Sequence, residues 1–583
     1  MQQLVFIILA ALVKLLHGID GAALFTKEEE QRVEAFVHNV MDCRSIPGLT
    51  LSVVKGDETW THGFGKADVA LDVDVTENTL FGTGSLGKAF TMTLLGNLIR
   101  KSSYTFHTKL SEIANVNLIF ANATLTAEMT LGDLLSHRTG LSAVTDFGFI
   151  AGYPRGTTRA MLAKKIKNLP QAAPYPSTML YNNMMYVMLG HVIEVLGDDT
   201  WENLLSSNVL GPIGMTSTRV LNKAELFQTN EVAKPYILKN GELELGFTHL
   251  YELTPLEPAG LLMSSGADMV KWMRFNLRNA TTDTGNMLLR PEDLDEAFQM
   301  QTDTKGSVRS LTTPAYPIND TTEGYGYAWF TGAYRGNRRI LHSGGLFSLN
   351  SLIWLFPHLN LGLFVSMNGP GLPSIPGYAS QTILSFVADL AMGMQPWLTP
   401  ATACTFPEPW SKAFNSPYPS PKKFTNNNTK DFVGEYGNDL MPDVKIYEER
   451  ADDTERPVLW LQMNKVNGTL LPTEDKDTFQ LKVVSPWEFA IERILNENFT
   501  VTYTTKFYRD QVEGKVKGFR VQFNSPQEVL DFNKCVRFLE ATACSQTMKD
   551  VSDGTNGASL VIDIQIVLFI LVSSVNVFVS LVL

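Results

Sequence analysis

Residues 80–89 read LFGTGSLGKA: an apolar stretch, a glycine-rich turn, Ser85 at the mouth of a helix, and Lys88 three positions later. Positions i and i+3 share one helix face, so the Lys88 amine can reach the Ser85 hydroxyl. A serine hydroxyl is a weak nucleophile until a neighbouring base takes its proton. A lysine whose pKa is lowered by burial and a nearby cation can be that base. The helix N-terminus adds free N–H groups and a positive dipole end, which favour the charge that develops as the oxygen attacks. The same spacing occurs at Ser52 and Lys55 in a strand-like run, where residues three apart point to opposite faces, and at Ser420 and Lys423 among prolines. A serine at a helix start also reads as an N-cap.

Two further segments add chemistry. Residues 180–194 (LYNNMMYVMLGHVIE) put Tyr181 and Asn183 just before an amphipathic helix, where a loop can present them to a cleft; Tyr436 and Asn438 repeat that Y-x-N spacing farther on. Residues 341–346 (LHSGGL) end a strand with His342, Ser343 and Gly344. A glycine there lets a substrate lie along the strand, and the Gly345 N–H could be a second oxyanion donor. The remaining histidines have no metal-ligand spacing, and neither H-E-x-x-H nor C-x-x-C occurs, so no metal or other cofactor is expected. His137 is read as packing beneath the site.

In this order, the three elements resemble the motifs of the serine β-lactamase and penicillin-binding-protein superfamily, above all its class C-like branch. Ser85 and Lys88 match the S-x-x-K motif, Tyr181 and Asn183 the Y-x-N motif, and residues 342–344 the third motif. Residues 131–141 (LGDLLSHRTGL), 258–272 (PAGLLMSSGADMVKW) and 342–369 supply matching context, so the resemblance covers nearly all of residues 30–392. It implies acyl transfer. Ser85 attacks a carbonyl, Lys88 and Tyr181 share the proton handling, the Ser85 and Gly345 amides hold the oxyanion, and Asn183 orients the substrate amide. Which of Lys88 and Tyr181 is the base stays open. One departure bears on substrate: His342 stands where β-lactamases of this branch carry lysine. A histidine, with a reference pKa of about 6.5, holds a carboxylate less firmly, which favours an ester, peptide or amide substrate.

The elements that must position these residues read as follows. A charged helix (27–42) precedes a hairpin (49–54 and 59–64); helices follow at 88–99, 183–196 and 267–277. Strands are expected at 326–330, 339–342, 349–356 and 361–367, and a helix at 380–392 closes the region. The expected fold is α+β, an antiparallel sheet flanked by helices, as the resemblance implies. Residues 396–429 shift to proline, asparagine and serine and read as a linker. Residues 430–545 carry β-type runs and read as an all-β domain, a barrel or a sandwich; the resemblance implies a lipocalin-like barrel opened by 432–438.

Of 583 residues, 44% are hydrophobic and 19% charged, which excludes a wholly disordered or disulfide-scaffold chain. The net charge of −12 argues against nucleic acid as a partner; a small-molecule or peptide substrate is what the resemblance implies. Both ends are nearly uncharged. Residues 5–13 are a short apolar run, so 1–23 read as a signal peptide; 24–395 is then the catalytic domain. Residues 546–583, a polar spacer and an apolar tail, read as a glycolipid-anchor signal or a tail anchor, a route to membrane attachment; a shed product is the alternative. Asn122, Asn279, Asn319, Asn427, Asn467 and Asn498 begin N-x-[ST] sites, in keeping with a secreted or surface protein. Four cysteines allow three pairings, and with three of them in the last third a crosslink would mainly staple that region. An extracellular scaffold that retains this fold without turnover is the second functional reading; oligomeric state is not legible.

Overall fold

Thr26 opens the first helix, α1 (Lys27–Arg44), with a reciprocal cap: its hydroxyl accepts the Glu29 N–H, and the Glu29 carboxylate accepts the Thr26 N–H at 2.8 Å. Val33, Phe36, Val37 and Val40 follow at helical spacing and are buried. The computed structural model describes residues 24–239, 241–304, 318–370, 376–408, 429–449, 457–484, 502–522 and 529–539. The expected signal peptide, the tail and residues 409–428 lie outside these, as do Asn427, Asn498 and Cys544.

The hairpin forms as expected, from β1 (Gly48–Lys55) and β2 (Glu58–Asp68), and β3 (Val73–Asp74) pairs beyond β2. Later strands complete a nine-stranded sheet: β9 (Thr302–Asp303), β10 (Asp320–Tyr325), β11 (Phe330–Tyr334), β12 (Asn337–Leu346), β13 (Leu349–Phe356) and β14 (Leu361–Met367), in the order β3-β2-β1-β14-β13-β12-β11-β10-β9. Both sheet faces are covered. Leu49, Leu51 and Val53 of β1 join the core shared with α1 and α5 (Pro376–Ala391). On the other face, Ser52 Oγ donates to the Gly266 carbonyl at the start of α4 (Gly266–Leu277). Lys55 instead donates to the Ala391 carbonyl at the end of α5, so the strand's S-x-x-K pair does diverge to opposite faces.

The expected strand at 326–330 is not one. Residues 326–329 are the turn between β10 and β11, closed by Gly326 N–H donating to the Trp329 carbonyl at 2.7 Å, with Ala328 at φ +64°. Residues 397–406, read from their prolines as linker, also differ: Leu398, Ala403 and Phe406 are buried in the α1/α5 core. The disulfide follows suit. Cys43 at the end of α1 bonds Cys404, so this crosslink closes the N-terminal domain and not the C-terminal region.

Short pieces frame the site: β4 (Phe81–Gly82), β5 (Arg219–Val220) and β8 (Leu262–Ser264) form a three-stranded sheet, and β6 (Tyr236–Lys239) and β7 (Glu242–Leu245) a hairpin. The helices α2 (Gly87–Ile99) and α3 (Asn183–Gly197) lie beneath it.

The C-terminal unit is an eight-stranded antiparallel barrel in sequence order: β15 (Gly434–Tyr436), β16 (Val444–Glu449), β17 (Val458–Met463), β18 (Val466–Pro472), β19 (Thr478–Val483), β20 (Thr502–Arg509), β21 (Val516–Gln522) and β22 (Val529–Asn533). A two-way backbone bridge between Gly437 and Asn533 brings its edges together. Phe432, Tyr436, Phe479, Phe507, Phe519 and Phe532 fill its interior. Among the described residues no helix is long and apolar enough to cross a membrane.

Because the Cys43–Cys404 bond spans 361 residues of sequence, replacing both cysteines by alanine frees a long loop in the unfolded chain. The expected loss is about 2–4 kcal/mol of stability, read as a lowered calorimetric midpoint. An unchanged midpoint would show that the bond contributes nothing.

Candidate active site

The Ser85 turn is built by close backbone approach. Residues Gly84–Leu86 form a single 3-10 turn that runs into α2, and Gly84 has φ +52°. A Cβ on Gly84 would stand 2.6 Å from the Gly345 nitrogen, and one on Gly344 would stand 1.9 Å from the Thr83 carbonyl oxygen. From the other side, a Cβ on Gly260 would meet the Gly84 oxygen at 2.5 Å. Glycine at these three positions lets β12 and the 257–260 turn clamp the Ser85 segment. Thr83 N–H donates to the Leu262 carbonyl, and Ser351 Oγ donates to the Thr83 carbonyl, locking the turn into both sheets.

Ser85 is 4% exposed, and its side chain caps no helix. Its Oγ lies 3.0 Å from Lys88 Nζ. Lys88, wholly buried, also donates to Asn183 Oδ1 at 2.7 Å and to the Ala259 carbonyl at 2.6 Å. Neither of those oxygens can donate, so two amine hydrogens are committed and the remaining valence faces Ser85. Tyr181 lays its ring 4.9 Å from the same amine. Asn183 is the first residue of α3, not a loop residue before it; its neighbour Asn182 is the cap and accepts the Met184 N–H. Asn182 also donates its own N–H to His137 Nδ1 at 3.1 Å. His137 packs 4.2 Å from the Tyr181 ring, beneath the site, and burial holds its pKa well below the ordinary value, with Lys88 and His342 adding to the effect.

His342 is wholly buried and fully engaged. Its Nδ1 donates to the Ser343 carbonyl at 2.7 Å, which leaves Nε2 to accept from Tyr325 Oη at 3.1 Å. Burial, then the positive Lys88, depress its pKa to about 3, so it is neutral at physiological pH. Gly345 pairs with Asn350 of β13, while β11 leaves β12 at Leu341, so the described strands flank residues 342–346 on the β13 side alone. Ser343 is nearly buried beside it.

Sequence reasoning did not find the Ala259 carbonyl, because a backbone oxygen carries no residue signature, although the 258–272 segment that holds it was singled out. It also missed what anchors that carbonyl. Arg159, buried, donates to the Pro255 carbonyl and pairs with Glu194, Glu202 and Glu257. Burial raises the Glu257 carboxyl pKa and Arg159 pulls it back.

The model of the Beta-lactamase family matches residues 33–387, well over half of the chain. The chain belongs to the beta-lactamase family. This is a serine hydrolase family, and its members include the unguisins hydrolase of Aspergillus violaceofuscus, 27% identical over 347 residues. That match covers 58% of this chain and 60% of the relative, so the chain spans about three fifths of that protein's length. Gigasin-6 of Magallana gigas is 26% identical over 257 residues, 42% of this chain and 83% of it. The octameric penicillin-binding protein homologue from Pyrococcus abyssi shares the fold at a TM-score of 0.52 and 19% identity, covering 86% of this chain and 99% of that one.

All eight site residues read from the sequence converge in this beta-lactamase-like domain. Of the sequons, Asn122 and Asn279 are exposed, whereas Asn319 and Asn467 are half-buried. Among the described residues no cluster of three His, Cys, Asp or Glu side chains is arranged to hold a metal.

The neutral His342 ties stability to pH. Its folded pKa of about 3 lies below an unfolded value near 6.5, so the unfolded chain binds the extra proton between them. Its contribution is complete above about pH 6.5 and is lost as pH falls towards 3. The unfolding midpoint should climb between pH 4.5 and 7, and climb less in His342→Gln. Equal slopes in the two proteins would contradict the assignment.

Proposed function

We propose that the protein is a secreted or surface-anchored serine hydrolase that cleaves an ester, peptide or amide bond through an acyl-enzyme on Ser85. The observation that carries this is the Lys88 amine, 3.0 Å from Ser85 Oγ with two other hydrogens committed to Asn183 and Ala259. Once it has given up one proton, an amine so held keeps its two hydrogens on Asn183 and Ala259 and directs its lone pair at the serine hydroxyl. As Oγ bonds the substrate carbonyl carbon, the hydroxyl proton passes to Lys88. The N–H groups of Ser85 and Gly345 receive the oxyanion; loss of one such donor typically raises the barrier by about 3 kcal/mol. The tetrahedral adduct collapses, the leaving alkoxide or amine takes the proton from Lys88, and the acyl-enzyme remains. Water, deprotonated by the same amine, then releases the acid. Lys88 is the base in this scheme, and Tyr181 packs against it and limits water access.

The neutral His342 supports a substrate with no carboxylate beside the scissile bond, because a charge placed there would lose water without gaining a fixed cation. The side of residues 342–346 that faces away from β13 suits an extended acyl or peptide chain laid along β12. A hydrolase role agrees with the name of the unguisins hydrolase relative. The short apolar run at 5–13 and the N-x-[ST] sites of the sequence support the extracellular placement.

A fluorophosphonate probe should label the intact protein once, and Ser85→Ala should abolish labelling. Lys88→Met should slow it by roughly a hundred-fold or more, the range for loss of a general base. Equal labelling of wild type and Ser85→Ala would refute the nucleophile. No labelling of wild type, together with no turnover of simple neutral esters, would leave the scaffold reading.

A further inference from the structure

One of the barrel's contacts with the N-terminal domain is the tip of a hairpin. Met463 pairs with Val466, so Asn464 and Lys465 are the two-residue turn between β17 and β18, with Asn464 in the left-handed region at φ +47°. Asn464 Nδ2 donates to the Ala151 carbonyl at 3.1 Å. Lys465 Nζ donates to the carbonyls of His249 and Glu252, at 2.8 and 2.7 Å. These oxygens belong to the end of a 3-10 turn, Thr248–Tyr251, where the carbonyls have no partner within the turn and a cation is favoured.

What that turn presents inward is Tyr251. Its ring is wholly buried, its Oη lies 3.1 Å from Ser348 Oγ, and it accepts the Ser348 N–H at 3.3 Å. The ring also meets Phe347 edge-on at 5.0 Å. Phe347 and Ser348 are the turn that joins β12 to β13, since Leu346 pairs with Leu349. Gly345, the second oxyanion donor of the proposed reaction, is two residues before Phe347. Hydrogen bonds at either end of one 3-10 turn therefore connect the barrel's hairpin tip, through the covalent frame of Tyr251, to the β12–β13 turn that starts two residues after Gly345.

We propose that Lys465 is a positioning residue for the oxyanion hole: docked on the 248–252 turn, it sets Tyr251, and Tyr251 sets the β12–β13 turn and with it the Gly345 N–H. The barrel is thereby a working part of the catalytic unit. The inference rests on the serine-hydrolase reading for its kinetic arm, since an oxyanion donor acts on the transition state and its displacement appears in kcat while ground-state binding is little changed.

The test uses the full chain with Lys465→Met, Tyr251→Phe, the double variant and Lys465→Arg. Hydrogen–deuterium exchange of the peptide spanning 343–350 is measured first, because it needs no activity. Exchange there should rise in Lys465→Met and return in Lys465→Arg; unchanged exchange overturns the proposal. On a neutral p-nitrophenyl ester, kcat should fall roughly ten-fold in Lys465→Met with KM held, the scale expected for a slightly displaced donor. Tyr251→Phe should match it, and the double variant should be no worse than the poorer single. Losses that multiply, or a raised KM at unchanged kcat, overturn the coupling. A wild type without Ser85-dependent labelling defeats the hydrolase reading, and the exchange arm still decides this one.

Discussion

A buried amine must place every hydrogen it carries, and the Lys88 amine imposes that demand on three remote stretches of chain. Ser85, Asn183 and Ala259 supply the oxygens, from the α2 turn, the first residue of α3 and the 257–260 turn. An unmet donor at such depth costs about 1–3 kcal/mol, so each stretch is held by its own supports. The glycines at 84, 260 and 344 permit backbone approach that no side chain would allow. Arg159 ties the loop before Ala259 to Glu194, Glu202 and Glu257, and His137 receives the Asn182 N–H just ahead of Asn183.

Charge is scarce around this amine, and the surroundings keep it so. Both nearby imidazoles are buried, and burial together with Lys88 disfavours their protonation. Lysine in the position of His342 would place a second cation beside the first and attract an anionic substrate; a neutral ring hydrogen-bonded to Tyr325 and to its own strand does neither. The neutrality of both rings follows from the same burial.

The barrel meets the N-terminal domain close to the candidate site. Its hairpin tip meets carbonyls of the 248–252 turn, and the packing of Tyr251 against Phe347 and Ser348 extends that contact to the β12–β13 turn. Tyr153, from the same face of the catalytic domain, donates to the Leu440 carbonyl and packs on Phe538, so the docking surface has a second, aromatic anchor.

Local pattern decided a good deal. The i, i+3 spacing of Ser85 and Lys88, the hairpin around residues 56–57, the long helices and the strands at 349–356 and 361–367 were legible because each depends on residues close in sequence. For the barrel, the all-β character was legible but the short strands 444–449, 466–472 and 529–533 were not, since short strands acquire their character from the neighbours they pair with. The turn at 326–329 was read as strand because its aromatic residues favour one, and packing against residues 297–299 overrode that preference. The Cys43–Cys404 pairing, the burial of residues 397–406 and the Ala259 carbonyl had no signature at all. The sequence by itself determined the reactive residue types, their order and the family; only the tertiary structure decided which oxygens meet the Lys88 amine, that His342 is neutral, and what the barrel touches. The physical reason is that hydrogen-bond satisfaction and desolvation depend on segments far apart in the chain, often on backbone atoms that every residue shares.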